Sequence, residues 1–258
     1  MYYTDLLRVR NGLFVYAIVI AGVFALSVLT LALNGMLGQW HMQAASDRHL
    51  DLDALFAMAT FSAMFFTFAM GTGLSCENSG HLPVKWTKPV SRVRAALTTF
   101  AFDAAGIIAA VALTFVTIVA IIALVGGASF IRATPDSAEQ LARFIVYLLA
   151  FYGLIAAAGA SLGGRGRAVS WAILGGSLLI GGFDASALPK PWGTIFTLLD
   201  YLNPMRYGSY HDSPSKSETI QFGMTSTNLA LGVDIAALCL LAAAGLIAAL
   251  LQWRRLEA

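Results

Sequence analysis

The sequence predicts an all-α membrane protein: one domain over residues 1–258, six transmembrane helices, a cytoplasmic loop, and an outer re-entrant or interfacial helix. Three observations predict it. Apolar residues make up 58% of the chain and charged residues only 12%, about half the charged share of an ordinary soluble domain. The apolar residues fall in continuous runs rather than alternating, which suits helices and not a barrel. The runs are long enough to matter, because a hydrocarbon core of about 30 Å takes about 20 residues of helix.

Six runs qualify: residues 13–33, 54–74, 102–125, 144–162, 168–183 and 229–253. The first two carry no charge. The third has Asp103 at its start and the sixth has Asp234 near its start. The fifth is the shortest and reaches only about 24 Å. The first run is long for a signal-peptide core, and more membrane follows it rather than a polar mature domain.

Sixteen Lys and Arg against 14 Asp and Glu leave a net charge of +2. That balance excludes a soluble nucleic-acid binder, which needs a basic face. The high hydrophobicity excludes a disordered chain. Orientation follows from basic residues in short loops. With the N-terminus in the cytoplasm, the larger share of Lys and Arg lies inside and most acids lie outside. An even number of spans with both termini cytoplasmic fits this bias. Asp103 then lies near the inner surface and Asp234 near the outer one. Both are intramembrane polar candidates, although each lies close enough to a span end to be read as a solvated or capped terminus.

The loops carry the rest. Pro135, Asp136, Ser137 and Glu139 read as a helix start. In the long segment 184–228, Trp192, Ile195, Phe196, Leu199 and Leu202 recur at helical spacing between Pro191 and Pro204. They read as a short amphipathic helix at or dipping into the outer membrane surface. Trp192, Tyr201, Tyr207 and Tyr210 suit an interfacial belt. The inside loop, 75–99, combines four cations with Pro83, Pro89 and the apolar residues Leu82, Val84 and Trp86. A connector needs the basic residues but not the apolar anchors, so this mixture reads as a docking surface for a cytoplasmic protein.

The stretch Glu77-Asn78-Ser79-Gly80-His81-Leu82, followed by Lys88-Pro89-Val90-Ser91-Arg92, resembles the cytoplasmic loop of ABC-2-type permeases, the membrane subunits of ATP-binding cassette exporters. Glu77, Gly80, Leu82, Pro89, Val90, Ser91 and Arg92 match its pattern. The six-span layout, the long last outer loop with Leu202-Asn203-Pro204 and the basic tail Trp253-Arg254-Arg255 are similar as well. The resemblance implies a permease that pairs with a second copy or a paralogue in the cell inner (plasma) membrane. It implies two cytoplasmic ATPase subunits that bind ATP and Mg and grip the loop as a coupling helix. Export is implied on the same ground. The coupling residues would be Glu77, Gly80, Leu82, Val84, Trp86, Pro89 and Arg92.

The chain has no Gly-x-x-x-x-Gly-Lys-Ser/Thr phosphate loop. Its glycine-rich inside segment, Gly163-Gly164-Arg165-Gly166-Arg167, lacks the lysine, so no cofactor and no catalytic residue is assigned to this chain. His41, Met42 and His49 have no recognised ligand spacing, and no metal site is assigned. No serine-hydrolase set is visible. Cys76 and Cys239 read as small buried hydrophobes. Gly159 and Gly163, with Gly71 and Gly73, read as places where helices approach closely. The expected partners are therefore ATPases, a second permease chain and membrane lipids, with no nucleic acid. The alternative expectation is a non-transporting assembly or mechanotransmission protein that binds a cytoplasmic partner.

Overall fold

The computed structural model describes residues 2–36, 50–72, 91–124, 131–133, 135, 137–160, 165–182, 189–207 and 231–255. They form α1 (Tyr2–Met36), α2 (Leu52–Gly71), α3 (Arg92–Leu124), α4 (Ser137–Gly159), α5 (Gly166–Gly182), α6 (Trp192–Tyr201) and α7 (Leu231–Arg255), with a 3-10 turn at Pro204–Tyr207. The non-helical pairing among them is a two-residue parallel bridge, β1 (Leu50–Asp51) to β2 (Ile131–Arg132), with Leu50 opposite Ile131. Among the described residues five helices, α1, α2, α3, α4 and α7, are long and apolar enough to cross a membrane. At 17 residues α5 is shorter.

Two boundaries differ from the sequence expectation. The segment before residue 13 is not separate, since α1 runs unbroken for 35 residues. The third helix starts at Arg92 rather than at residue 102. Ser91 caps it, its hydroxyl accepting the Arg94 N–H at 3.3 Å, as serine does at helix starts. The two arginines made this stretch read as loop. Yet Ala96, Thr99 and Phe100 are buried at helical spacing, while Val93 and Leu97 face out. Asp103 therefore sits well inside a helix, not at its start.

Contacts between helices fix their directions. Tyr16 of α1 meets Ser62 of α2 and Thr114 of α3, and Arg8 meets Asp103. Thus α1 and α3 run parallel. Ser137 of α4 bonds Asp53 of α2, so these two helices start side by side, just past the β1–β2 bridge. Tyr152, late in α4, reaches Asp103, and Ile155 packs on Gly71 at the end of α2. Hence α2 and α4 run opposite to α1 and α3. We call the end where α1 begins the near end, and the end where α2 and α4 begin the far end. Early in α5, Ser170 lines a pocket with Thr72, whereas its later residue Ser177 accepts a bond from Asn203 in the turn that packs on the far half of α4. So α5 points from the near end to the far end.

The most extensive packing is between α4 and α7. A Cβ on Gly245 would stand 2.5 Å from the Gly153 carbonyl carbon, and a Cβ on Gly153 would stand 2.9 Å from the Ala242 carbonyl oxygen. Two backbones are in direct contact here, so neither glycine tolerates a side chain. Small residues close the bundle at this crossing, and Gly71 meets Ile155 closely at the near end of α2; Gly163 and Gly73 lie outside the described residues. From the crossing toward their N-termini, α4 leads to Tyr147, which contacts Met205, and α7 leads to its first turn at Asp234, near Tyr207, where it packs on the 3-10 turn. Both paths reach the same 3-10 turn, so α7 runs parallel to α4 and ends at the near end. Around the crossing the core is aromatic and aliphatic: Phe68 on Phe151, Tyr147 on Phe151, and Leu148 and Ile155 fully buried. Gly245→Leu should destabilise the chain by about 1–3 kcal/mol, the range for overpacking, or prevent folding outright, as read by thermal unfolding in detergent. Gly232→Leu, with open space around its Cβ, should leave the unfolding temperature unchanged.

Candidate functional site

The feature of the near end is a buried ionic knot. Arg8 donates from Nη2 to Asp103 Oδ1 at 2.6 Å. The Tyr152 hydroxyl donates to the other carboxylate oxygen at 2.7 Å. Beside them Thr99 donates to Asp5 Oδ1 at 3.3 Å. Asp5 and Asp103 are both essentially unexposed, and Arg8 retains 25% side-chain exposure. Helical spacing assembles the group. Asp5 and Arg8 are three apart on α1, and Thr99 and Asp103 are four apart on α3, so each pair shares one face. Tyr152 arrives from α4 with its ring edge-on to Phe100 at 6.0 Å. A carboxylate without partners would be very costly in an apolar bundle, and both Asp103 oxygens are occupied. The knot is a set of bonds between side chains of α1, α3 and α4. Its chemistry is to fix three helices to one another.

Midway along α1, a hydroxyl relay replaces charge. Thr114 donates to the Ala110 carbonyl at 2.9 Å. The Tyr16 hydroxyl lies 2.6 Å from Thr114 and 3.0 Å from Ser62. With Thr114's proton directed to that carbonyl, Tyr16 donates to Thr114 and Ser62 donates to Tyr16.

The far end holds a second polar layer. Ser137 donates to Asp53 Oδ1 at 2.6 Å, joining the first turns of α2 and α4, where a carboxylate also complements the helix dipole. Arg143 and Asp234 are both fully buried. Arg206 pairs with Asp200 and lies 4.2 Å over the Tyr201 ring. Asn203 is a local hub: its amide donates to the Ser177 carbonyl at 2.9 Å and its oxygen accepts the Met205 N–H at 3.1 Å. The Tyr207 hydroxyl donates to the Tyr201 carbonyl at 3.0 Å. Burial foremost, with the nearby acids adding to it, raises the Tyr207 pKa above its ordinary value.

Of the sequence-predicted residues, Asp103 and Asp234 are placed, and neither is a solvated terminus. Each is fully buried, Asp103 in the knot and Asp234 in the first turn of α7. Of the coupling residues, Glu77, Gly80, Leu82, Val84, Trp86 and Pro89 lie outside the described residues, and Arg92 opens α3 with its side chain outside them. Cys76, His41, His49, His81 and His211 also lie outside. Cys239 is exposed, not buried, because it falls on the outward face of α7, one step from the buried Leu238. Among the described residues no cluster of three His, Cys, Asp or Glu could hold a metal.

Sequence reading missed Asp5, Arg8, Tyr152, Arg143 and Asp53. Basic residues enter the sequence analysis only as loop charges that set orientation, whereas Arg8 and Arg143 lie within α1 and α4. The available signal was their helical register with apolar neighbours, Asp5–Arg8 on one side and Arg143–Tyr147 on the other.

Comparison with protein-family models, with curated proteins and with solved structures gives no match. The fold and its buried charge define a class: a helical, apolar protein with five helices long enough to cross a membrane. Within it, Asp103→Leu should cost toward the lower part of about 3–5 kcal/mol, since it strands a partly exposed Arg8. The double variant Arg8→Met/Asp103→Leu should cost less than the sum of the two single changes, as read by a double-mutant cycle of thermal unfolding in detergent.

Proposed function

We propose that this chain is the membrane-spanning permease subunit of an ABC-2-type exporter, coupled to separate ATPase subunits through the 75–99 segment. In this reading six helices cross the inner (plasma) membrane, α5 included, and both termini are cytoplasmic. Two such chains pair, and two ATPases bind ATP and Mg beneath them. The outward-facing Trp192, Ile195 and Leu199 of α6, with Leu202 at its C-cap, support its lying in, or dipping into, the opposite interface.

The observation that carries the reading is the position of the ionic knot. Residues 73–90 leave from α2 and enter α3 at the near end, where the N-terminus of α1 and the C-terminus of α7 also lie. The knot joins α3 to α1 and α4 within about three turns of that entry point. A partner that displaces the loop therefore pushes on the base of α3, and Asp103 passes the push to α1 and α4. The loop supplies the grip through Leu82, Val84 and Trp86. Glu77, Gly80, Pro89 and Arg92 set its shape, and the buried pair supplies the stiffness. Hydrolysis stays in the partner chain.

The test is affinity purification of the full-length chain from its native membranes, with mass-spectrometric identification of what it retains. A co-purifying ATPase whose turnover rises in the complex supports the proposal. Leu82→Asp combined with Trp86→Asp should abolish its retention, a loss of two apolar anchors each worth about 2 kcal/mol or more at an interface centre. Retention of the ATPase by that variant would sink the proposal, as would labelling of the 75–99 segment from the non-cytoplasmic side.

A further inference from the structure

On three helices an exposed side ends on an arginine, with the same spacing each time. Arg94 of α3 is followed at three, seven and fourteen residues by Leu97, Ala101 and Ile108. Arg165, just before α5, is followed at the same steps by Ala168, Ala172 and Leu179. Arg254 of α7 is preceded at those steps by Leu251, Ile247 and Leu240. All of these residues are exposed, and helical periodicity puts each set on one side of its helix. Helices α3 and α7 are long and apolar enough to cross a membrane, and α5 is a shorter apolar helix. The surrounding of these apolar sides is therefore hydrocarbon, and each side stops at a cation.

The three arginines also share a depth. Arg94 lies nine residues before Asp103, about 13 Å of helix. Arg254 lies nine residues after Gly245, which touches Gly153 beside Tyr152, and Tyr152 bonds Asp103. Arg254 is therefore also about 13 Å beyond the knot. Ser170 of α5 shares a pocket with Thr72, one residue past the contact of Gly71 with Ile155. Arg165, five residues before Ser170, reaches about the same level. The acids of this end are withdrawn from the surface: among its described residues they are Asp5 and Asp103, both buried in the knot. The near end thus presents positive charge in one layer.

Position on the helix decides between partners. A protein docked beneath the bundle meets residues at its base. An arginine that continues a hydrocarbon-facing side meets the headgroup layer instead, where its stem lies along apolar surface and its guanidinium reaches a phosphate. We propose that Arg94, Arg165 and Arg254 form a collar that binds the headgroups of anionic phospholipids and fixes the depth of the near end in its leaflet. The collar is independent of the permease reading, because it needs only that these helices meet lipid.

The full-length chain, purified in detergent, would be equilibrated with equal amounts of phosphatidylglycerol and phosphatidylcholine, and the retained lipids weighed by native mass spectrometry. Preferential retention of phosphatidylglycerol is expected. Each single change, Arg94→Gln, Arg165→Gln or Arg254→Gln, should weaken one headgroup site about fivefold, the effect of one basic residue at an anionic surface. The triple Gln variant should show no preference, with its unfolding temperature in phosphatidylcholine unchanged. Lysine at all three positions should keep most of the preference, since the charge remains. Equal retention of both lipids by the unaltered chain would overturn the proposal. So would displacement of the lipid by an equal concentration of inorganic phosphate, which would indicate a free-anion site. A triple Gln variant that keeps its lipid preference but loses a co-purifying protein would assign the arginines to that partner and overturn it as well.

Discussion

A carboxylate inside an apolar bundle is the constraint around which this molecule is organised. Asp103 is fully buried, and a lone charge there would cost more than neighbouring apolar contacts return. Its two oxygens are therefore committed to two different helices, one through the Arg8 guanidinium and one through the Tyr152 hydroxyl. This arrangement is weak evidence for net stability, because an apolar replacement of the whole pair can serve as well. It is strong evidence for geometry: three helices must hold one register at one depth for both bonds to exist. Apolar faces alone would allow α1 to slide along α3, and the pair does not.

The same logic recurs at the far end in milder form. There Ser137 and Asp53 tie the first turns of α2 and α4, and the parallel β1–β2 bridge immediately precedes them. Between the two polar layers the bundle relies on shape. Helices α4 and α7 touch backbone to backbone at Gly153 and Gly245, since in lipid the gain from association comes from close packing rather than from removing apolar surface from water. Polar bonds thus set register at the ends, and small residues set distance in the middle. In the proposed exporter this division lets a displacement at the near end travel as a movement of whole helices.

How much of this the sequence disclosed depended on the kind of signal. Long apolar runs are unmistakable, so the helical class and the approximate position of each long helix were readable. The start at Ser137 was readable too, because Pro135, Asp136 and Glu139 form a local pattern. The start at Arg92 was not. Two arginines outweighed the spacing of Ala96, Thr99 and Phe100, and hydropathy averages hide a helix that enters the apolar layer by one polar turn. The knot was hidden for a different reason. Arg8, Asp103 and Tyr152 come from three helices, and no local pattern encodes a meeting between residues 95 and 49 positions apart. Positive charge was used to orient the chain, and that use concealed the possibility that Arg8 and Arg143 are interior residues. Cys239 was misplaced because composition tells that a helix is apolar but not which face is turned outward.

The sequence separations of these bonds also set a timetable. Ribosomes release the N-terminal residues first. Arg8 is made 95 residues before Asp103, so the cation is already waiting when the acid emerges. Tyr152 follows Asp103 by 49 residues, and Ser137 follows Asp53 by 84. The first and third helices can therefore neutralise their charge while the chain is still growing. The second must carry Asp53 without the Ser137 hydroxyl until the fourth has been threaded beside it, which makes the arrival of Ser137 the moment at which the first turns of the two helices are tied at the far end.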